Sequence, residues 1–384
     1  MTFNFKLLLR LVYRALFYAR GTNARLTPHR LLVIFIIFPL YVIIEAASWL
    51  GFLLDEVLFP GYRRQEIQKP LFIIGVPRSG TTFLQRLLAQ DESQLTSMRL
   101  WEIIFAPSVT QKKFFAAIGT VDRQLGGYLH SAVGGIEKRI LGGTATIHKM
   151  GLFEAEEDCM ILLHIFSSAF LVFMFPFLDD LWPYVNFDME MPPADRERIM
   201  RFYRRCVQRH LYAFGGGRRF LSKNPTFSGM VESLNRTFSD AQFVCMVRTP
   251  LDTVPSVVSL FHYYFNKFLS PVEEYPLRDA ATRMVAIYYR YPLQMLALLP
   301  VGRQQVITYH ALTSDPGATV SALYERFGTD LCPAYRTVLD RETAKARSYK
   351  SNHVYSLEQF NLSREQLASE FNDIFEQFGF ERGV

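Results

Sequence analysis

Hydrophobic and polar positions change rhythm twice along the chain. Near the start, Lys6, Arg10 and Arg14 recur every fourth residue, which places them on one side of a helix. Leu8, Leu9, Leu11, Val12 and Leu16 fill the remaining surface. Leu31–Ile44 follows as an unbroken apolar run containing Pro39, continuing through Glu45 into Trp49–Leu54. Its 14 uninterrupted residues are short for a bilayer crossing, which needs about 20. An interfacial or re-entrant element fits better, and a span reaching Leu54 stays open. Asp55–Lys69 reads as a polar connector turning at Pro60–Gly61.

From Pro70 onward the pattern is that of an α/β protein. Leu71–Val76, Gln242–Val247 and Gln305–Tyr309 are short apolar runs of buried-strand length. Helical patterns cover Thr81–Gln90, Asp195–Phe214, Leu251–Tyr264 and Arg364–Phe378. Glu154–Phe175 reads as a long helix, very apolar after an acidic start. Strands alternating with helices imply a central parallel sheet flanked by helices, a three-layer fold with ligands at the strands' carboxyl ends. The expected division is a basic and apolar membrane-associated helical segment over 1–68 and a catalytic domain over 69–384.

Charge sharpens the first part of this picture. The 42 Lys and Arg exceed the 36 Asp and Glu by six. Residues 1–30 alone hold six basic side chains and no acid, so the remainder is neutral and nothing points to nucleic acid. A basic stripe on a greasy helix suits an anionic membrane surface, so residues 1–54 are expected to meet one. An ordinary packed helix with a solvated basic face would look the same. The four cysteines (Cys159, Cys206, Cys245, Cys332) have no metal-ligand spacing, which fits a reducing compartment.

The chemistry begins at Gly75-Val76-Pro77-Arg78-Ser79-Gly80-Thr81-Thr82, a strand, a tight loop and a helix start. Such a loop presents backbone N–H groups and a helix dipole to an anion, in a P-loop-like manner. Thr81 stands where a nucleotide P-loop needs Lys. The strand Phe243–Val247 ends in Arg248, where an ATP-using enzyme would place an acid for Mg²⁺. A P-loop kinase or NTPase is therefore the weaker reading. Arg248 can fork onto a phosphate, and Ser256, two turns into the following helix, can add a hydroxyl.

Taken together, these elements resemble the PAPS-dependent sulfotransferase superfamily, in the branch with a Pro-Arg-Ser-Gly-Thr-Thr first loop (PAPS is 3′-phosphoadenosine 5′-phosphosulfate). The resemblance runs from about residue 70 to the C-terminus. It implies that Arg78, Ser79, Gly80, Thr81 and Thr82 cradle the 5′-phosphosulfate, and that Arg248 and Ser256 hold the 3′-phosphate. Leu221-Ser222-Lys223-Asn224-Pro225 is similar to the family's strand ending in a Lys that approaches the transferred group. Ile307–Leu312 is similar to its Tyr-Glu-x-Leu element, with His310 in place of the acid. Arg347–His353, including Lys350, resembles its late basic loop over the cofactor.

The expected reaction is in-line sulfuryl transfer from PAPS to a hydroxyl or amine, without a metal. The general base is sought in the cluster of His148, Glu154, Glu156, Glu157 and Asp158, with Glu157 first and Glu154 and His148 behind it. Acids in a helix's first turn also serve its dipole, so the cluster has a purely structural explanation. The aromatic and aliphatic residues of Ile161–Leu178 and Phe261–Phe268 are either core or the wall of a cleft for a small-molecule or lipid-linked acceptor. A membrane-associated enzyme on the cytoplasmic face is expected, with a Golgi membrane enzyme facing the lumen as the alternative. A catalytically inactive membrane scaffold of the same fold is the remaining rival.

Overall fold

Five short strands pair into one parallel sheet in the computed structural model, which describes residues 2–141, 151–348 and 357–382. They are β1 (Leu71–Gly75), β2 (Leu95–Thr96), β3 (Arg219–Lys223), β4 (Gln242–Val247) and β5 (Gln304–Thr308), in the order β2-β3-β1-β4-β5. Alternate β1 side chains enter different layers, as the two-residue period of a strand requires. Phe72 and Ile74 join the larger core, while Leu71 and Ile73 meet Leu84 and Leu87 on the other face. Helices cover both faces, so β1 and β4 are buried throughout and read as continuous apolar runs. Ile73 lies opposite Lys223, Gly75 opposite Met246 and Val247 opposite Thr308. This register brings the carboxyl ends of β3, β1, β4 and β5 to one rim.

Most expected elements are present with shifted ends. The helix after β1 is α3 (Thr81–Leu88), and the helix after β4 is longer than expected, Pro250–Phe268 (α4). Strand β2 has two residues and left no periodic signal.

Two expectations need correction. Glu154–Phe175 is not one helix. Ala155 bridges Arg99, and 3₁₀ turns follow at Asp158–Ile165 and Ala169–Phe173, separated by Phe166 at φ +52°. The cause lies at its start. The backbone N–H of Cys159 donates to Asn224 Oδ1 at 3.0 Å, and the Asp158 carboxylate accepts from Asn224 at 2.8 Å. These bonds hold the segment to the end of β3. Asp55–Lys69 is not simply a connector either, because Asp55 belongs to a helix and is buried against Arg209 at 2.8 Å.

The N-terminal segment forms α1 (Phe5–Phe17) and α2 (Pro28–Leu58), a continuous 31-residue helix that includes Pro39. By length and composition α2 could associate with a membrane. Leu7, Leu11 and Phe52 join the same core as the sheet. The stripe of α1 is partly internal, since Arg10 (3.1 Å) and Arg14 (2.5 Å) both pair with Asp180. The four cysteines are free thiols.

Candidate active site

The loop after β1 owes its shape to three left-handed residues, Gly75 (φ +118°), Arg78 (φ +69°) and Gly80 (φ +90°). A side chain on Gly75 would strike the Met246 carbonyl of the adjacent strand, so glycine is required there. Arg78 has no such exemption and holds a conformation costing of order 1 kcal/mol. Gly80 is the N-cap of α3 and brings no side-chain acceptor to the first helical N–H groups. An uncapped helix start facing the rim of a parallel sheet is suited to an anionic ligand.

The flanking strands bring cations to both sides of this loop. On the β4 side, Arg78 Nε donates to Ser256 Oγ at 2.9 Å, and Arg248 Nη1 reaches the Arg78 carbonyl at 3.4 Å. Arg248 stacks over the Tyr309 ring at 4.3 Å and pairs with Asp252 at 3.0 Å. Tyr309 also closes on the loop, 2.9 Å from where a Gly80 Cβ would sit. On the β3 side, the fully buried Lys223 donates to Glu157 Oε1 at 2.9 Å. Arg78, Gly80, Ser256 and Arg248 thus gather on one side of the central strand, and the Lys223–Glu157 pair stands on the other.

Not every expected residue joins these groups. Ser79 is buried and its hydroxyl donates to the Val76 carbonyl at 2.6 Å, so it contributes main chain only. Thr81 is buried at the helix start and Thr82 is half-buried. Glu154 is exposed and lines a separate cavity of about 1360 Å³ with Arg86, Trp101, Phe105 and Phe115. Lys223 and Glu157 are not among that cavity's lining residues. His148 and Lys350 lie outside the described residues.

Sequence reasoning missed the support beneath the pair. Asp158 is buried and accepts hydrogen bonds from Tyr203, from Ser222 Oγ at 2.9 Å and from Asn224 Nδ2 at 2.8 Å. Ser222 and Asn224 flank Lys223, so this cluster fixes the lysine's backbone. Burial pushes the Asp158 carboxyl up to about 6, with the three hydrogen bonds opposing it. Burial likewise pushes Glu156 up to about 7; Lys223 opposes the rise and Glu157 adds to it. The run Glu156-Glu157-Asp158 was visible in the sequence, but its division between buried and cleft-facing acids was not. Tyr264 belongs to the Phe261–Phe268 stretch expected to be core or cleft wall. It packs on Phe173 at 5.0 Å and is close enough to Glu157, Glu156 and Arg78 to feel their charges.

Arginines and a hydroxyl gathered around a strand-to-helix loop, with an acid–lysine pair across the central strand, have the make-up of a group-transfer site. The chain belongs to the sulfotransferase family, whose model matches residues 70–333. Its activity class is therefore sulfuryl transfer. It is 24% identical over 320 residues to the omega-hydroxy-beta-dihydromenaquinone-9 sulfotransferases Stf3 of Mycobacterium bovis and Mycobacterium tuberculosis, covering 82% of this chain and 76% of theirs. The fold is similar to crystal structures of two sulfotransferases. STF9 of Mycobacterium avium matches at TM-score 0.73 and 17% identity, covering 99% of this chain and 98% of that one. STF1 of Mycobacterium tuberculosis H37Rv matches at 0.66 and 19%, covering 94% and 90%.

Proposed function

We propose that the cleft takes PAPS as donor and transfers its sulfuryl group to the hydroxyl of a lipid-linked alcohol at a membrane surface. The observation that carries the donor assignment is the convergence of Arg78, Ser256 and Arg248 beside an uncapped helix start. That convergence supports a single nucleotide held by two phosphates. PAPS supplies an activated sulfuryl group whose departure leaves a phosphate. The N–H groups at Gly80–Thr82 and the Arg78 guanidinium hold the 5′ end and stabilise negative charge there. Arg248 and Ser256 hold the 3′-phosphate, with Arg248 exchanging its exposed partner Asp252 for the ligand.

On the other side, Lys223 donates to the transferring group and Glu157 accepts the proton of the acceptor hydroxyl. Their 2.9 Å contact lets the lysine orient the carboxylate. A hydrophobic acceptor is supported by the Phe173–Tyr264 wall beside Glu157 and by the sulfated lipid alcohol that the Stf3 name describes. The apolar α2 supports the membrane setting, on the cytoplasmic face where PAPS is made.

Calorimetry tests the donor assignment. Adenosine 3′,5′-bisphosphate should bind at least tenfold more tightly than adenosine 5′-monophosphate. A charge-assisted phosphate contact is worth about 1.5–3 kcal/mol, so Arg248→Ala should weaken the bisphosphate about 10- to 100-fold. The monophosphate should be unaffected. Equal affinities for the two nucleotides would refute the assignment. Labelled PAPS incubated with a lipid extract then separates a working enzyme from an inactive scaffold, which would bind without turnover.

A further inference from the structure

Helix α2 touches the rest of the protein along one stripe, from its first turn to its last. Arg30 is buried and its guanidinium donates to the carbonyls of Phe268 (2.6 Å) and Met174. Tyr41 donates to the Leu163 carbonyl at 3.0 Å, and Glu45 contacts His164 at 2.8 Å. Phe52 packs edge-on against Phe202, and Asp55 pairs with Arg209. Positions 41, 45, 52 and 55 repeat at helical spacing and define a single face. The opposite face carries Phe35, Ile43, Leu50 and Val57, each more than half exposed. Helix α1 adds Phe5, Leu9 and Phe17, also outward. Among the described residues, 20 of the 33 exposed large apolar side chains fall within 5–58, so most of the greasy surface belongs to these two helices and the turn between them.

A bilayer crossing needs about 20 residues surrounded by hydrocarbon on every side. Protein partners stand at Arg30 and again from Tyr41 to Asp55, so while these contacts hold the largely exposed stretch between them, residues 31–40, is about half the length a crossing needs. Breaking them would expose Arg30, Glu45 and Asp55 to lipid. We propose that α1 and α2 form a flat docking surface for an anionic bilayer, with α2 lying in the interface rather than crossing. Charge selects the lipid. Of the basic side chains in residues 1–30, Lys6, Arg10, Arg20 and Arg25 are exposed, whereas Arg30 is buried, and no acid accompanies them.

The same helix is fastened to the acceptor side of the site. Met174 and Phe268, the two carbonyls Arg30 holds, end the elements that carry Phe173 and Tyr264. These two rings form the apolar wall beside Glu157. Resting on the lipid-acceptor reading above, the surface delivers a lipid alcohol from the bilayer over Phe173 and Tyr264 to the Lys223–Glu157 pair.

The test uses the full chain and vesicles of phosphatidylcholine with or without phosphatidylglycerol. Expected are co-sedimentation with the anionic vesicles, at least tenfold weaker binding to neutral ones, and release by alkaline carbonate. The outward triple variant Phe35→Glu/Ile43→Glu/Leu50→Glu should lose vesicle binding at least tenfold yet keep its affinity for adenosine 3′,5′-bisphosphate, which reports an intact fold. Phe173→Ser should lower turnover of a vesicle-borne alcohol at least tenfold with unchanged nucleotide affinity. Resistance to carbonate, equal binding to neutral vesicles, or binding that survives the triple substitution overturns the flat surface, and unchanged turnover in Phe173→Ser overturns the delivery route. If the wild type binds vesicles but not the bisphosphate, the sulfotransfer reading fails while the docking surface stands.

Discussion

Replacing Lys223 with Met keeps the volume of the side chain and removes its charge, which makes it the sharpest probe of the proposed chemistry. Lys223 is fully buried, while the Glu157 side chain is 18% exposed, with 2.9 Å between Nζ and Oε1. At an effective dielectric of about 20, that contact corresponds to about 6 kcal/mol of gross attraction. Lysine desolvation and the exposure of Glu157 offset much of it, so the folded protein should lose only a few kcal/mol. Turnover should suffer more specifically. Losing one preorganised donor to the developing charge costs about 10²- to 10³-fold in kcat. Glu157→Gln should cost a similar factor by removing the proton acceptor. Because the two act as a unit, the double variant should fall no more than about tenfold below the worse single. The assay is labelled PAPS turnover with lipid extract, alongside calorimetry with adenosine 3′,5′-bisphosphate. Affinity should stay within about threefold, because Lys223 addresses the transferring group and not the phosphates. A Lys223→Met enzyme that folds, binds the bisphosphate and turns over within threefold of wild type would remove the lysine from the mechanism.

Gly75→Ala should abolish soluble expression or nucleotide binding, because φ is +118° and the new methyl would meet main chain rather than a movable side chain; thermal melting within a few degrees of wild type would contradict the loop geometry. Glu156→Gln should change the pH dependence of stability. The folded carboxyl titrates at about 7, against 4.5 for the ordinary group, so the native state binds its proton more tightly than the unfolded chain. That contribution is fully present below pH 4.5 and is lost as pH rises towards 7, amounting to about 3 kcal/mol. The variant should therefore gain on wild type across that window in melting experiments, and parallel curves would show that Glu156 is not buried as an acid.

That Arg78, Arg248 and Ser256 come together was legible because they sit in local strand-to-helix units. Pro77–Thr82 is one turn between a strand and a helix, and Arg248 and Ser256 sit at fixed offsets in the next such unit. Local spacing carries that geometry without knowledge of the tertiary fold. The acceptor side was misread for the opposite reason. Glu154–Phe175 has the composition of a helix, yet Asn224, some 65 residues away, captures both the Asp158 carboxylate and the Cys159 N–H. No period in the segment announces that competition. Arg10 and Arg14 show the same limit. Their spacing is helical as expected, but both pair with Asp180, Arg14 partly buried and Arg10 still exposed, which no local pattern announces.

Under the proposed reading, strand order constrains how donor and acceptor approach each other, as follows from the positions of Lys223 and Arg248. Strand β1 lies between β3 and β4, so Lys223 and Arg248 end two strand spacings apart, about 10 Å, with the Arg78 loop between them. A ribose carrying phosphates at both ends bridges such a gap only by lying across the loop. Its 3′ end then sits over Arg248 and Ser256, and its reactive end points towards Lys223. The β4 side is closed by Tyr309 stacked on Arg248, which leaves little room for a second substrate there. The acceptor must approach from the side of Glu157, where Phe173 and Tyr264 stand and where Arg30 ties the wall to α2. Under the proposed reading, moving the acceptor wall should alter which alcohol is sulfated without changing how the nucleotide is held. Substitutions at Phe173 or Tyr264 that change nucleotide affinity as much as acceptor choice would contradict this division of the cleft.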